Sequence, residues 1–450
     1  MKYPAYPKYK DSGVEWLGEV PEHWELSRFS KKVFIAEGQV NPEESPYLDM
    51  FLIAPNYIES GTGRLLSKET AAEQGAESGK YFCMNGDVIY SKIRPSLAKV
   101  VMASEDCLCS ADMYPLRGKG GVCNKFIYWV LLSRWFIAWS VLESDRVAMP
   151  KINRESLNSC LLCLPSLPEQ QGIATFLDAQ TSKLDALIAK KRELIAKLQE
   201  KRAALITRTV TRGLPPEAAK AAGLDPHPKM KDSGVEWLGE VPEHWEIKRL
   251  KYLSPGITVG IVIEPSKYYE ESGIPCLRSL NVKQNFLEYN NLVYISAESN
   301  ILLSKSMLHK GDLVIVRTGQ PGTTAVIDEK FDKSNCIDLI IVRQSRCQSG
   351  HFLSYFLNSK QGQIQFCEGS GGAIQQHFNI SIASNLIIAA PPLAEQVSIV
   401  DYLNSEVAKI DALLKATESA IERLQEYRSA LITAAVTGKI DVRNIPPEAA

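Results

Sequence analysis

Polar side chains suited to contact with nucleic acid gather in a few short stretches of this 450-residue chain. SKIRPSLAK offers Lys92, Arg94, Ser96 and Lys99, and PKINRES offers Lys151, Asn153 and Arg154. Further on, LRSLNVKQN carries Arg278, Asn281 and Lys283, RTGQPGTT carries Arg317, Thr318, Gln320 and Thr323, and AIQQH carries Gln375, Gln376 and His377. Arginine matches the paired acceptors of guanine, and Asn or Gln the donor–acceptor pair of adenine, while Lys, Ser and Thr commonly meet phosphate. The chemistry on offer is non-covalent reading of a duplex.

Covalent chemistry has no comparable constellation. SGTGRLL from Ser60 is a Gly-rich turn without a preceding strand pattern, and GAESGKY from Gly75 is one residue short of a phosphate-cradling loop. No His-Glu-x-x-His occurs, and the six histidines are dispersed. Cys160 and Cys163 form a C-x-x-C inside the apolar run SCLLCLP. With no second pair near by, they read as thiols packed along a strand rather than as a zinc site. His23 and His244 lie in a repeated PEHWE, where a structural role is expected. No catalytic residue, metal site or bound cofactor is expected.

The elements that must carry these residues are dominated by two long helices. Leu167 to Thr211 holds Leu177, Leu184, Leu198 and Leu205 at heptad spacing, with Ile188 and Ile195 on the neighbouring row. Leu393 to Thr437 repeats the pattern with Leu403, Ile410, Leu424 and Leu431 beside Leu414 and Ile421. After the opening turn, Gly172 is the only Gly or Pro in either copy, and Glu, Lys and Arg occupy the other faces. Each copy therefore reads as one helix of a coiled coil, on the order of 60 Å long at about 1.5 Å per residue.

The chain is a tandem duplication. KDSGVEWLGEVPEHWE occurs at Lys10 to Glu25 and again, identically, at Lys231 to Glu246. The strand patterns GDVIYSKIRP from Gly86 and GDLVIVRTGQ from Gly311 keep nearly the same register. Between the anchors, roughly 28–148 against 249–373, the halves share little sequence. Scaffold repeats while its cargo diverges, as expected where each half reads a different target. Runs such as DVIYS, NLVYIS, DLVIV and DLIIVR between turn residues predict a largely antiparallel sheet in each cargo region. One buried amphipathic helix should follow late in each: Phe126 to Leu142, where Arg134 argues against a membrane span, and its counterpart from Phe352. GLPPEAAKAAGLDPHPKM, Gly213 to Met230, reads as a linker.

Totals set only broad bounds. A hydrophobic fraction of 45%, a charged fraction of 23% and a net charge of −1 suit a soluble protein and leave local patches to decide partners. The N-terminal MKYPAYPKYK has no apolar core behind its lysines and the ten cysteines have no framework spacing. A cytoplasmic location is expected, with no membrane partner.

The order of these features resembles the specificity (S) subunit of Type I restriction–modification enzymes. The residues that carry the resemblance are VPEHWE at Val20 and Val241, LPSLPEQQGI at Leu164 to Ile173, and PPLAEQVSI at Pro391 to Ile399. The LDALI and IDALL of the long helices, and GGAIQQHFNIS from Gly371 to Ser381, complete the set. VAMPKINRES from Val147 departs from that last pattern in lacking its glycines. The resemblance spans nearly the whole chain. It implies an α+β architecture: two globular, sheet-rich mixed α/β domains separated by two long antiparallel helices forming a coiled coil, in a pseudo-two-fold tandem repeat. Residues 1–165 and 231–390 would be target-recognition domains, each reading one half of a bipartite site in double-stranded DNA. Residues 166–212 and 391–450 would be conserved spacer helices, the latter with a C-terminal tail, and 213–230 a linker.

Two modification (methyltransferase) subunits would dock on the spacers and methylate adenine with S-adenosylmethionine, and restriction subunits using ATP and Mg would cut DNA. The glycine-rich cofactor loop and the Asn/Asp-Pro-Pro-aromatic tetrapeptide of such methyltransferases are absent here, as the implied division of labour requires. An alternative of another class is an adaptor whose coiled coil spaces two ligand-binding modules.

Overall fold

The computed structural model describes residues 3–144, 149–369 and 378–445. They form two compact units, one of 1–192 with 418–450 and one of 193–417.

The two long helices span Leu167–Arg212 and Leu393–Val436, within a residue of the heptad reading at each end. Glycine follows the end of each, Gly213 at φ +83° and Gly438 at φ +68°, a left-handed backbone that lets the chain turn away. Gly438 also lies so close to Pro21 that a Cβ would come within 2.4 Å of its ring. In the first unit Leu177 shares a core with Leu431, Ile432 and Val436, and Asp185 lies 2.9 Å from Arg428. In the second, Ile206 and Val210 share a core with Leu403 and Val407, and Arg202 donates to Asp411 at 2.8 Å. Rising numbers on one helix meet falling numbers on the other, so the pairing is antiparallel.

The variable regions, so different in sequence, fold alike. In the first unit one sheet runs Val33–Ile35, Met113–Gly118, Val88–Ser91, Val100–Met102, all antiparallel. The second unit repeats that order with Ile257–Val259, Leu339–Val342, Leu313–Val316, Thr324–Val326. Each unit adds a second four-stranded sheet that ends on a parallel pair, Cys107–Cys109 with Leu52–Ile53 and Ile274–Leu277 with Asn335–Cys336. Alternating β-branched and aromatic residues set the strands, and non-local pairing sets their order.

The late amphipathic segment is not one helix but two. Asn124–Leu131 and Arg134–Leu142 meet at a bend of 66°. Ser133 makes the break: its hydroxyl caps the second helix at Phe136 N–H, as serine does at helix starts. Arg134 then faces the second long helix, its N–H bonding Thr433 Oγ1 at 2.9 Å and its Nε bonding Ser429 Oγ at 3.0 Å. The counterpart is split as well, into Gly350–Asn358 and Lys360–Gly369. Among the described residues no single helix is long and apolar enough to cross a membrane.

A duplicated clamp fastens each module to the start of a long helix. Glu169 accepts from Trp24 Nε1 at 3.1 Å and Tyr6 hydroxyl at 2.6 Å, and its other oxygen lies 3.0 Å from His23 Nε2. Glu395 accepts from Trp245 Nε1 at 3.1 Å and lies 2.7 Å from His244. Both tryptophans are fully buried. The neighbouring glutamines grip the bent helices: Gln170 Oε1 accepts Cys123 N–H at 2.9 Å, and Gln396 Oε1 accepts Ser349 N–H at 2.8 Å. Both carboxylates sit in a first helical turn, where the helix dipole favours negative charge. His23 and His244 are therefore parts of the scaffold, and the repeated segments repeat because they hold each other.

Candidate nucleic-acid interface

In the first unit the strand Val88–Ser91 runs out into residues 92–99, where Arg94 and Ala98 both take left-handed φ, 46° and 45°. An Ile93–Lys151 bridge and hydrogen bonds from Ile152 N–H to Lys92 O (2.9 Å) and Arg94 N–H to Pro150 O (2.7 Å) bind this turn to the PKINRES stretch. Two candidate segments far apart in sequence thus form one surface. Arg94, Ser96 and Lys151 are exposed on it. Lys92 lies over the Tyr114 ring at 5.4 Å, and Lys99 donates to Pro55 O at 2.5 Å.

The other two residues serve the fold. Asn153 caps the helix Arg154–Ser159, accepting Ser156 N–H at 2.8 Å. Arg154 donates to Ala36 O at 2.6 Å and Ile35 O at 3.2 Å, with its guanidinium 4.9 Å from the Tyr114 ring centre. Burial raises the Tyr114 phenol above its ordinary pKa, against the pull of Arg154.

The second unit builds the corresponding surface. Arg317 follows the strand Leu313–Val316 and donates to Asp338 at 2.6 Å and to Phe378 O at 2.9 Å. Thr318 donates to the other Asp338 oxygen at 3.0 Å. Thr323 is buried and its hydroxyl donates to Gln320 O at 3.0 Å, leaving the Gln320 side chain exposed. Asn379 caps Ile380–Asn385 through Ile382 N–H at 3.0 Å, in the role Asn153 plays in the first unit. Gln375, Gln376 and His377 lie outside the described residues.

LRSLNVKQN stands elsewhere, at the end of the strand Ile274–Leu277. Arg278 donates to Asn291 O at 2.5 Å and Lys283 pairs with Glu288 at 3.2 Å. Asn281 is fully buried, accepting Arg278 N–H at 3.0 Å and donating to Asn290 O at 2.8 Å. It closes a turn.

Sequence reasoning missed Asp338 and Tyr114, which orient Arg317 and Arg154. It also missed the pairing of PEHWE with the Glu of LPEQ and LAEQ. The signal for that pairing was present: both motifs occur twice. Cys160 and Cys163 flank and join the strand Leu161–Leu164, and burial pushes the Cys163 thiol up to about 12. A thiol so poorly ionised is a weak nucleophile and a weak metal ligand.

The capping role has a direct consequence. Asn153→Ala is expected to cost about 1 kcal/mol in urea unfolding, while Asn153→Ser keeps the cap and leaves DNA binding unchanged. A changed base preference in Asn153→Ser would show instead that the side chain reads DNA.

Residues 17–197 and 242–423 match the family model described as the Type I restriction modification DNA specificity domain. The chain belongs to that family. The match occurs twice, once for each half of the duplication, and each match takes in most of a long helix. Among relatives in this specificity family, the EcoDI specificity subunit of Escherichia coli is 38% identical over 157 residues, covering 35% of this chain and 34% of that protein. The chain therefore matches about a third of that relative's length. The MjaVIII specificity subunit of Methanocaldococcus jannaschii is 22% identical over 446 residues, covering 95% of each. Two solved chains share the fold. One comes from work on complex assembly and conformational transition of the type I R-M system, with TM-score 0.67, 20% identity, and 93% and 98% coverage of this chain and that one. The other is the HsdS subunit from Thermoanaerobacter tengcongensis, with TM-score 0.51, 19% identity, and 96% and 100% coverage.

Proposed function

We propose that this chain is the DNA-recognition subunit of a Type I restriction–modification complex, each module reading one part of a bipartite site. The observation that carries the reading is a single sheet order built twice, presenting Arg94, Ser96 and Lys151 at one loop surface and Gln320 beside Arg317 at its counterpart. Equal frames with unequal contact residues suit two different half-sites. The chain itself performs no catalysis in this reading. Methyltransferase subunits docked on the long helices supply S-adenosylmethionine chemistry at adenine, and restriction subunits supply ATP- and Mg-dependent cleavage.

The test is selection of a randomised duplex library by the full chain, alone and with the methyltransferase subunit of its system. The expected product is two conserved blocks separated by a gap of fixed length, with affinity falling steeply as salt rises. Binding without any sequence preference, or no binding in either form, would leave the chain an adaptor of another kind.

A further inference from the structure

We infer that Arg428, on the second long helix, is a positioning residue for the first module's reading loop: it fixes residues 92–99 relative to the helix pair of its unit. This rests on the DNA-reading function proposed above. Arg428 is 6% exposed. Its Nε lies 2.9 Å from Asp185 Oδ1 on the first long helix, and Nη2 donates to Asp185 Oδ2 at 3.2 Å. The same guanidinium donates from Nη1 to Gly61 O at 3.0 Å and from Nη2 to Thr62 O at 3.2 Å. Gly61 in turn gives its N–H to Ala98 O at 3.3 Å. One residue, Gly61, therefore joins the helix pair on its carbonyl side to the reading loop on its amide side.

The connecting loop is built to hold its shape. Ile58 and Leu65 bridge its base. Glu59 accepts from Thr62 Oγ1 and Arg64 Nε, both at 3.0 Å, and lies 3.7 Å from Arg192 of the first long helix. Gly63 takes φ +77° and passes so close to Tyr128 that a Cβ would fall 1.8 Å from its hydroxyl oxygen. Lys99 ties the far end of the reading loop back to Pro55 O.

Among the described residues the second unit shows no such connection. Arg202 occupies in the first helix the repeat position that Arg428 occupies in the second, and Asp411 stands where Asp185 does. Among the described residues Arg202 makes only the ion pair to Asp411, with 25% of its side chain exposed against 7% for Arg428. A duplicated helix-to-helix ion pair has been extended, on one side, into a seat for a module. A guanidinium spreads five N–H donors over a rigid planar fork and so holds a carboxylate and two carbonyls in fixed directions, where an ammonium is a compact point charge on a flexible stem.

The test uses the full chain carrying Arg428→Lys, Arg428→Ala or Gly63→Ala, with Arg202→Ala as the mirror control and circular dichroism to verify folding. Without DNA, amide hydrogen exchange over residues 59–64 and 92–99 should rise about tenfold or more in the first three variants and stay unchanged in Arg202→Ala. Unchanged exchange in folded Arg428→Lys and Arg428→Ala overturns the inference. In library selection, the half-site read by the first module should lose definition while the other block keeps it. Equal loss in both blocks, or in neither, also overturns it. If the unaltered chain selects no bipartite sequence, the DNA-reading proposal fails, and the exchange measurement still judges the mechanical link by itself.

Discussion

Trp24→Ala should lower the unfolding free energy of the first unit by about 3–5 kcal/mol. The indole is fully buried among Tyr6, Val20 and the start of the long helix, and its Nε1 satisfies a carboxylate that is itself only 8% exposed. Two penalties combine: a cavity the size of the ring, and a buried Glu169 that loses one of its donors. Trp24→Phe separates them. It keeps most of the apolar volume and removes the N–H, so a cost of about 1.5–3 kcal/mol is expected, the worth of a hydrogen bond to a charged group. Urea unfolding followed by circular dichroism measures both, and Trp245→Ala gives the same comparison for the second clamp. A loss below about 1 kcal/mol for Trp24→Ala would mean that the repeated PEHWE is not what holds the module to the helix.

The second large effect concerns binding. Arg94→Glu combined with Lys151→Glu reverses two exposed charges on the surface that the Ile93–Lys151 bridge assembles. Affinity for the selected duplex should fall on the order of 10²- to 10³-fold near 0.1 M salt, and the salt dependence should flatten by about two phosphate equivalents. Sequence preference in the other half-site should survive, because neither residue belongs to the second unit. Neither side chain caps a helix or fills the core, so circular dichroism should match the unaltered chain. Retained affinity would move the interface away from this surface.

The frame was largely legible in the primary structure. Heptad leucines, with Gly172 the only Gly or Pro after the opening turn, placed the helices to within a residue, and a left-handed glycine follows the end of each. β-Branched runs placed Val88–Ser91, Leu313–Val316 and Leu339–Val342. Sheet order was not legible, because it depends on which strands pair across long stretches of chain. The break at Ser133 was hidden because the apolar pattern runs straight through it, and a single capping hydroxyl decides the matter.

Individual contact residues were harder still. Asn153 and Asn281 have the chemistry of adenine readers, yet the same short amide also favours caps and turns, and both are engaged there. Arg154 and Arg317 are committed to carbonyls and carboxylates within the fold. A linear pattern of polar residues does not tell those facing solvent from those bracing a loop.

Neither compact unit coincides with one half of the duplication, since each takes a piece of both long helices. The arginine that seats the first module stands at position 428, more than 300 residues downstream of the loop at 92–99 that it supports. A crossover within the linker would therefore give offspring a familiar head on an unfamiliar seat. A well-seated first head in such offspring depends on the parent of the second half carrying an arginine at that distant position, so exchange of halves is constrained by a residue that no comparison of the heads alone would flag.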